Sequence, residues 1–148
     1  MKKLLTLLLI SSVFISCKKD STTTTTPTTN PTAARSFTCT INGAAFTADS
    51  AWYNNFNSGA TNIFATKGSG ALLQYFEINL NAQTASTYNI PVNSFTYLNA
   101  TSTYPATAGS LSISTYDVTN RKVSGSFTGI TAGAVTITNG TFTNLPYK

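Results

Sequence analysis

From Ser36 to Lys148 apolar and polar residues alternate with a period of two, interrupted at Asn, Gly and Pro, which is the pattern of successive antiparallel strands. The first segment, SFTCTINGAAFTAD, shows how closely that pattern fixes register. Asn42-Gly43 is the signature of a two-residue type I′ turn, and such a turn sets Ile41 opposite Ala44, Cys39 opposite Phe46 and Phe37 opposite Ala48. Those six share one face, while Thr38, Thr40, Ala45, Thr47 and Asp49 share the other, so the hairpin has one side to bury. In this apolar cross-strand company Cys39 reads as a small core hydrophobe rather than a reactive thiol.

Further strands follow. TNIFATK and ALLQYFEINL are joined across Lys67-Gly68-Ser69-Gly70, with Phe76, Ile78 and Leu80 inward and Glu77 and Asn79 outward. TYNI stops before Pro91, and SFTYLNA puts Phe95, Tyr97 and Asn99 on one face. SLSISTY turns through residues 117–122 into VSGSFTG, with Leu111, Ile113, Val123 and Phe127 inward. AVTITNGTFTNL carries Val135 and Ile137 inward, and a bulge at Asn139-Gly140 restores Phe142 to that face. The pattern predicts an all-β domain, an antiparallel up-and-down meander of about nine strands. A single sheet with one wet face buries too little to offset the entropy of ordering it, so closure as a barrel or a two-layer sandwich is expected, and periodicity does not choose between them.

Ahead of the domain the pattern is different. Lys2 and Lys3 precede the apolar run LLTLLLISSVFI, residues 4–15, which reads as a signal peptide. A helix over this run would extend about 18 Å, short of the ~30 Å a spanning helix must cross. The stretch KKDSTTTTTPTTNPTAAR that follows Cys17 has no bulky apolar side chain and cannot build a core. It reads as a tether of roughly 60 Å when stretched and about 25 Å as a relaxed coil. The expected organisation is a signal peptide over 1–16, a modified Cys17 with its tether over 17–35, and one β domain over 36–148.

The net charge of +5 suggests a basic protein, but removal of residues 1–16 leaves Lys18, Lys19, Arg35, Lys67, Arg121, Lys122 and Lys148 against Asp20, Asp49, Glu77 and Asp117, a net +3. From Ser36 onward four cations face three carboxylates. So neutral a domain lacks the basic stripe that nucleic-acid binding requires, and no nucleic-acid partner is expected. Charged residues are only 9% of the chain, against ~25% in ordinary soluble domains. Thr, Ser and Asn take their surface positions, as suits a pleated sheet. With Cys17 consumed by an anchor, Cys39 has no partner in its own chain, and the domain depends on its core rather than on disulfides.

The stretch FISC resembles the lipobox of bacterial lipoproteins: Phe14, Ile15 and Ser16 occupy the three positions before the cut, and Cys17 becomes the lipidated first residue. The resemblance implies a membrane partner, reached through acyl chains on Cys17 at ~0.8 kcal/mol per buried CH₂. Lys18 is not the Asp that resembles an inner-membrane retention signal, which implies the outer membrane. The KKD triplet partly resembles the export signal of Bacteroidetes surface lipoproteins, so surface display is expected over a periplasm-facing orientation. The triplets DST and DSA resemble the Bacteroidetes O-glycosylation motif, which makes Ser21 and Ser50 candidates, Ser50 being equally readable as a turn residue. FTCTINGAAFTAD, SISTYDVTNRKVSGSFTG and VTITNGTFTNLPY together resemble short Bacteroidetes lipoproteins with a small all-β domain of unknown function, a likeness covering most of residues 36–148. It transfers no catalytic residue.

The chain has no histidine, so no Ser-His-Asp or Cys-His pair is available, and a zinc site would lack imidazole. A glycosidase pair needs two carboxylates on one cleft, yet Glu77 alternates outward in mid-strand and Asp117 opens a turn. Asp117 with Asn120 falls short of a calcium shell, and Ser69 beside Lys67 has no identifiable oxyanion donors. No catalytic residue, metal or cofactor is expected, and the domain reads as a non-enzyme. The binding candidates lie in AWYNNFN, where Trp52, Tyr53 and Phe56 mingle with Asn54, Asn55 and Asn57: ring faces stack on sugars and amides bond hydroxyls. The plainer reading is that the rings cap the core and the asparagines make a turn. The functional expectation is an adhesive, structural or binding module for a glycan or protein surface, with a barrel-type carrier of a small apolar ligand as the alternative.

Overall fold

A computed structural model describes residues 34–55 and 59–148 of the chain. The expected signal peptide, the lipidation residue Cys17, Ser21, nearly all of the Thr-rich tether, Phe56 and Asn57 lie outside the described residues. The described part is all β. Its strands are β1 (Ser36–Ile41), β2 (Ala44–Thr47), β3 (Ser50–Asn55), β4 (Thr61–Lys67), β5 (Gln74–Leu80), β6 (Thr87–Ile90), β7 (Ser94–Asn99), β8 (Ser102–Pro105), β9 (Ala108–Asp117), β10 (Lys122–Ala132) and β11 (Val135–Pro146). One 3-10 turn, Gly70–Leu72, lengthens the expected turn between β4 and β5, so that β5 begins at Gln74 rather than at Ala71. Among the described residues no helix is long and apolar enough to cross a membrane.

The strands form two antiparallel sheets. Sheet A has the order β2-β1-β11-β10-β9-β6 and sheet B the order β3-β4-β5-β7-β8. The expected meander is corrected here, because the chain changes sheet between β2 and β3, on both sides of β6, and between β8 and β9, while β11 returns to pair with β1. A period of two records which face of a strand is buried but not which neighbour it pairs with. The count of about nine also rises to eleven, the additions being β3 and β8. Each sheet keeps two edge strands, so the ladders do not close into a barrel, and a two-layer sandwich fits the arrangement.

The hairpin register is the one that Asn42-Gly43 demands: Cys39 faces Phe46 and Ile41 faces Ala44, and the Ala48 amide donates to the Phe37 carbonyl at 2.9 Å. Asn42 and Gly43 both take positive φ, 47° and 85°, as a type I′ turn requires. The bulge also forms, since Thr38 pairs with Thr141 but Thr40 with Thr138, which places Asn139 and Gly140 together opposite Cys39. Beyond it Phe142 is fully buried. Between the sheets Phe37, Phe127 and Phe142 of sheet A meet Phe76 and Phe95 of sheet B, with neighbouring ring centroids 5.2–6.5 Å apart. Edge-to-face and tilted contacts of this kind add to the burial of the rings. Cys39 lies in the same core, and burial pushes its thiol up to about 12.

Candidate functional site

Strand β3 carries the binding candidates, and the strand geometry divides them. Because successive side chains point to opposite faces, Tyr53 turns inward and is 2% exposed, whereas Trp52 and Asn54 stand on the outer face of sheet B. Asn55 follows Tyr53 to the inner side, where its Oδ1 accepts from the Tyr116 hydroxyl at 2.7 Å. The asparagines thus belong to a strand rather than a turn. Tyr53 packs edge-on against Tyr116 and Tyr147 at the border of the sandwich, and burial, then the neighbouring Tyr116, raises its pKa. Ser50 opens β3 opposite Thr66 on the outer face, half-buried.

Three rows run across the outer face of sheet B, each set by the strand register. The middle row is Trp52, Phe64, Glu77, Thr96. On one side lies an amide row, Asn54, Asn62, Asn79, ending at Ser94, and on the other Ser50, Thr66, Tyr75, Leu98. Trp52 stacks on Phe64 with centroids 5.5 Å apart and planes at 25°, and Phe64 stacks on Tyr75 at 6.0 Å and 30°. At those separations and angles the rings are offset-stacked, one beside the next across β3, β4 and β5. Glu77 lies beside them, its Oε1 accepting from Asn79 Nδ2 at 3.3 Å. Burial and then the Glu77 carboxylate push the Tyr75 hydroxyl up to about 12.

The amide row is unevenly satisfied. Asn62 is 5% exposed although it stands on the outer face, and Asn54 Oδ1 is buried without a hydrogen-bond partner. A desolvated carbonyl oxygen of this kind costs free energy. Closed off from water as it stands, the oxygen meets a ligand hydroxyl only if the Asn54 side chain turns outward.

Three further charged groups are engaged locally. Asp117 Oδ1 accepts from the Asn120 amide at 2.8 Å and Oδ2 from its side chain at 2.7 Å, and these bonds, the backbone one foremost, lower its pKa. Asp49 Oδ2 accepts from the Gly68 amide at 2.8 Å. Lys67 Nζ lies 5.5 Å from the Phe46 ring centroid. A surface pocket of about 220 Å³ between the 3-10 turn and the β7–β8 turn, lined by Leu72, Leu73, Gln74 and Asn99 among others, is smaller than the roughly 300–1,000 Å³ of sites for drug-sized ligands.

Phe64, Tyr75, Asn62 and Glu77 join Trp52 and Asn54 on this face although none stands in AWYNNFN. Their signal was the outward set of period two in TNIFATK and QYFEINL. No protein-family model, curated protein or solved structure matches the chain.

Proposed function

We propose that the chain is a lipoprotein held at the outer membrane by acyl chains on Cys17, surface-displayed, whose β domain is a non-enzymatic module that binds glycan through the outer face of sheet B. The observation that carries the reading is the juxtaposition of the Trp52-Phe64-Tyr75 rings with the Asn54-Asn62-Asn79 row on one face of the sheet. Rings offer apolar contact to the C–H groups of a sugar, and amides with a carboxylate offer donors and acceptors to its hydroxyls. The carrier alternative calls for an apolar lumen, and phenyl rings in mutual contact occupy the space between the sheets, which favours recognition at the surface.

Titration of Trp52 emission with a glycan panel and a fatty acid tests the reading. A saturable response to a glycan is expected, and since Trp52→Ala removes the fluorophore, its affinity is read by calorimetry and is expected to fall ten-fold or more with the fold intact. A response to the fatty acid alone would favour the carrier. Mass spectrometry of the native protein is expected to find a thioether-linked, acylated Cys17, and a free thiol there would remove the anchor.

A further inference from the structure

We infer that the glycan is an acidic one, whose carboxylates are read by Lys148 and Arg121 at the border where β3 meets the end of β11. The inference rests on the glycan-binding reading above and adds the ligand's charge. Two rings at this border each carry a cation. Lys148 Nζ lies 4.4 Å from the Trp52 ring centroid, and the Arg121 guanidinium carbon lies 3.9 Å from that of Tyr147. The backbone fixes their company: the Lys148 amide donates to the Tyr53 carbonyl at 2.9 Å, and the Tyr147 amide to the Arg121 carbonyl at 3.2 Å. Tyr147 and Tyr53 form a parallel bridge. β4 lies on one side of β3 and brings Phe64 against Trp52, while Lys148 joins β3 on the other side and lays its ammonium over the same indole.

That placement discriminates between sugars. A neutral sugar stacking on Trp52 must displace the ammonium and return it to water, losing a cation–π contact that amounts to a few-fold in affinity at an exposed site. An acidic sugar brings a partner for it. Its carboxylate draws Lys148 off the ring into a charge-assisted hydrogen bond, and the uncovered indole face receives the C–H face of the same pyranose. Arg121, with its planar fork of donors, suits a second carboxylate along the polymer, and Lys122 stands beside it opposite Pro146. The domain's side-chain carboxylates compete weakly. Asp117 is turned onto Asn120 and lies across from Lys122, Asp49, three residues before Trp52, accepts from the Gly68 amide, and Glu77 is two strands from Trp52, about 10 Å at the usual strand spacing.

Trp52 is the only tryptophan in the sequence, so emission of the full-length protein in detergent reports this site directly. The probes are polygalacturonate, its fully methyl-esterified form, which keeps the backbone without the charge, and polyglutamate, which keeps the charge without the sugar. Polygalacturonate is expected to bind at least ten-fold tighter than either of the others. The double variant Lys148→Gln, Arg121→Gln is expected to lose five-fold or more of that affinity, while the methyl ester binds as well or better. Acrylamide quenching of Trp52 without ligand is expected to rise in Lys148→Gln, and unchanged quenching would show that the ammonium does not cover the ring. Equal affinity for acid and ester overturns the inference and leaves glycan binding standing. Equal affinity for polyglutamate reduces the site to bulk electrostatics and overturns it as well. Silence toward every glycan removes both readings.

Discussion

Gly140 faces Phe127 across the β10–β11 ladder, and the Phe127 ring fills the place a β-carbon on Gly140 would take. The bulge puts Gly140 at this point and the ring lies over its bare backbone, so one glycine lets sheet A hold its central phenyl group. Gly140→Ala is therefore expected to destabilise the domain by about 1–3 kcal/mol, the cost of overpacking a full core. The midpoint of urea unfolding measures it. Ser126→Ala, exposed on the same strand pair, is the neutral control.

Trp52 and Tyr53 are neighbours in sequence with opposite duties. Tyr53→Ala empties a core position and is expected to cost about 3–5 kcal/mol, the range for large aromatic truncations. Trp52→Ala gives up a half-exposed stack on Phe64, worth roughly 0.5–1.5 kcal/mol beyond its buried area, and is expected to destabilise the protein little while abolishing glycan binding as calorimetry reads it. Thermal melts of the two variants, set beside their binding curves, check the division. Equal stability losses would contradict it.

What could be read in the sequence followed from local constraints. Asn42-Gly43 fixed the first hairpin because a two-residue turn leaves one register, and Phe142 revealed the bulge because without it the ring would face water. Strand β3 was hidden because SAWYNN has aromatic and amide groups on both faces, so no alternation shows, and paired asparagines look like a turn. β8 was hidden because STYP is short and ends in proline. The outer face of sheet B was legible only strand by strand. That Phe64 sits between Trp52 and Tyr75, or that Lys148 reaches Trp52 at all, depends on strand order, which period two does not encode.

The buried thiol of Cys39 makes an alkaline prediction. Its pKa is raised from 9.0 to about 12 by desolvation, so above pH 9 the unfolded chain gives up a proton that the folded chain keeps. A group raised in the fold stabilises fully below its unfolded pKa, and that contribution is lost as pH climbs through the window from about 9 to about 12. Unfolding midpoints are expected to fall over that range, and Cys39→Ala to flatten the fall. In a Cys17→Ser background the remaining thiol is expected to ignore a disulfide reagent until the protein unfolds, as its burial demands. Rapid labelling at neutral pH would show that the core opens at this hairpin.

Asn54 links stability to binding in the opposite sense. Its Oδ1 is buried unpartnered, and replacing such a group with an apolar one of similar shape is neutral or favourable, because the desolvation cost goes with it. Asn54→Val, whose β-branched side chain also suits an edge strand, is expected to raise stability by about 1 kcal/mol. If the Asn54 side chain turns outward to offer that oxygen to a ligand hydroxyl, the same variant should bind glycan at least five-fold more weakly. The two readings separate cleanly. A variant that is more stable with unaltered affinity would mean the amide oxygen is a tolerated defect and that recognition runs through Asn62, Asn79 and the aromatic ladder alone. A less stable variant would mean that Asn54 finds its partner in solution.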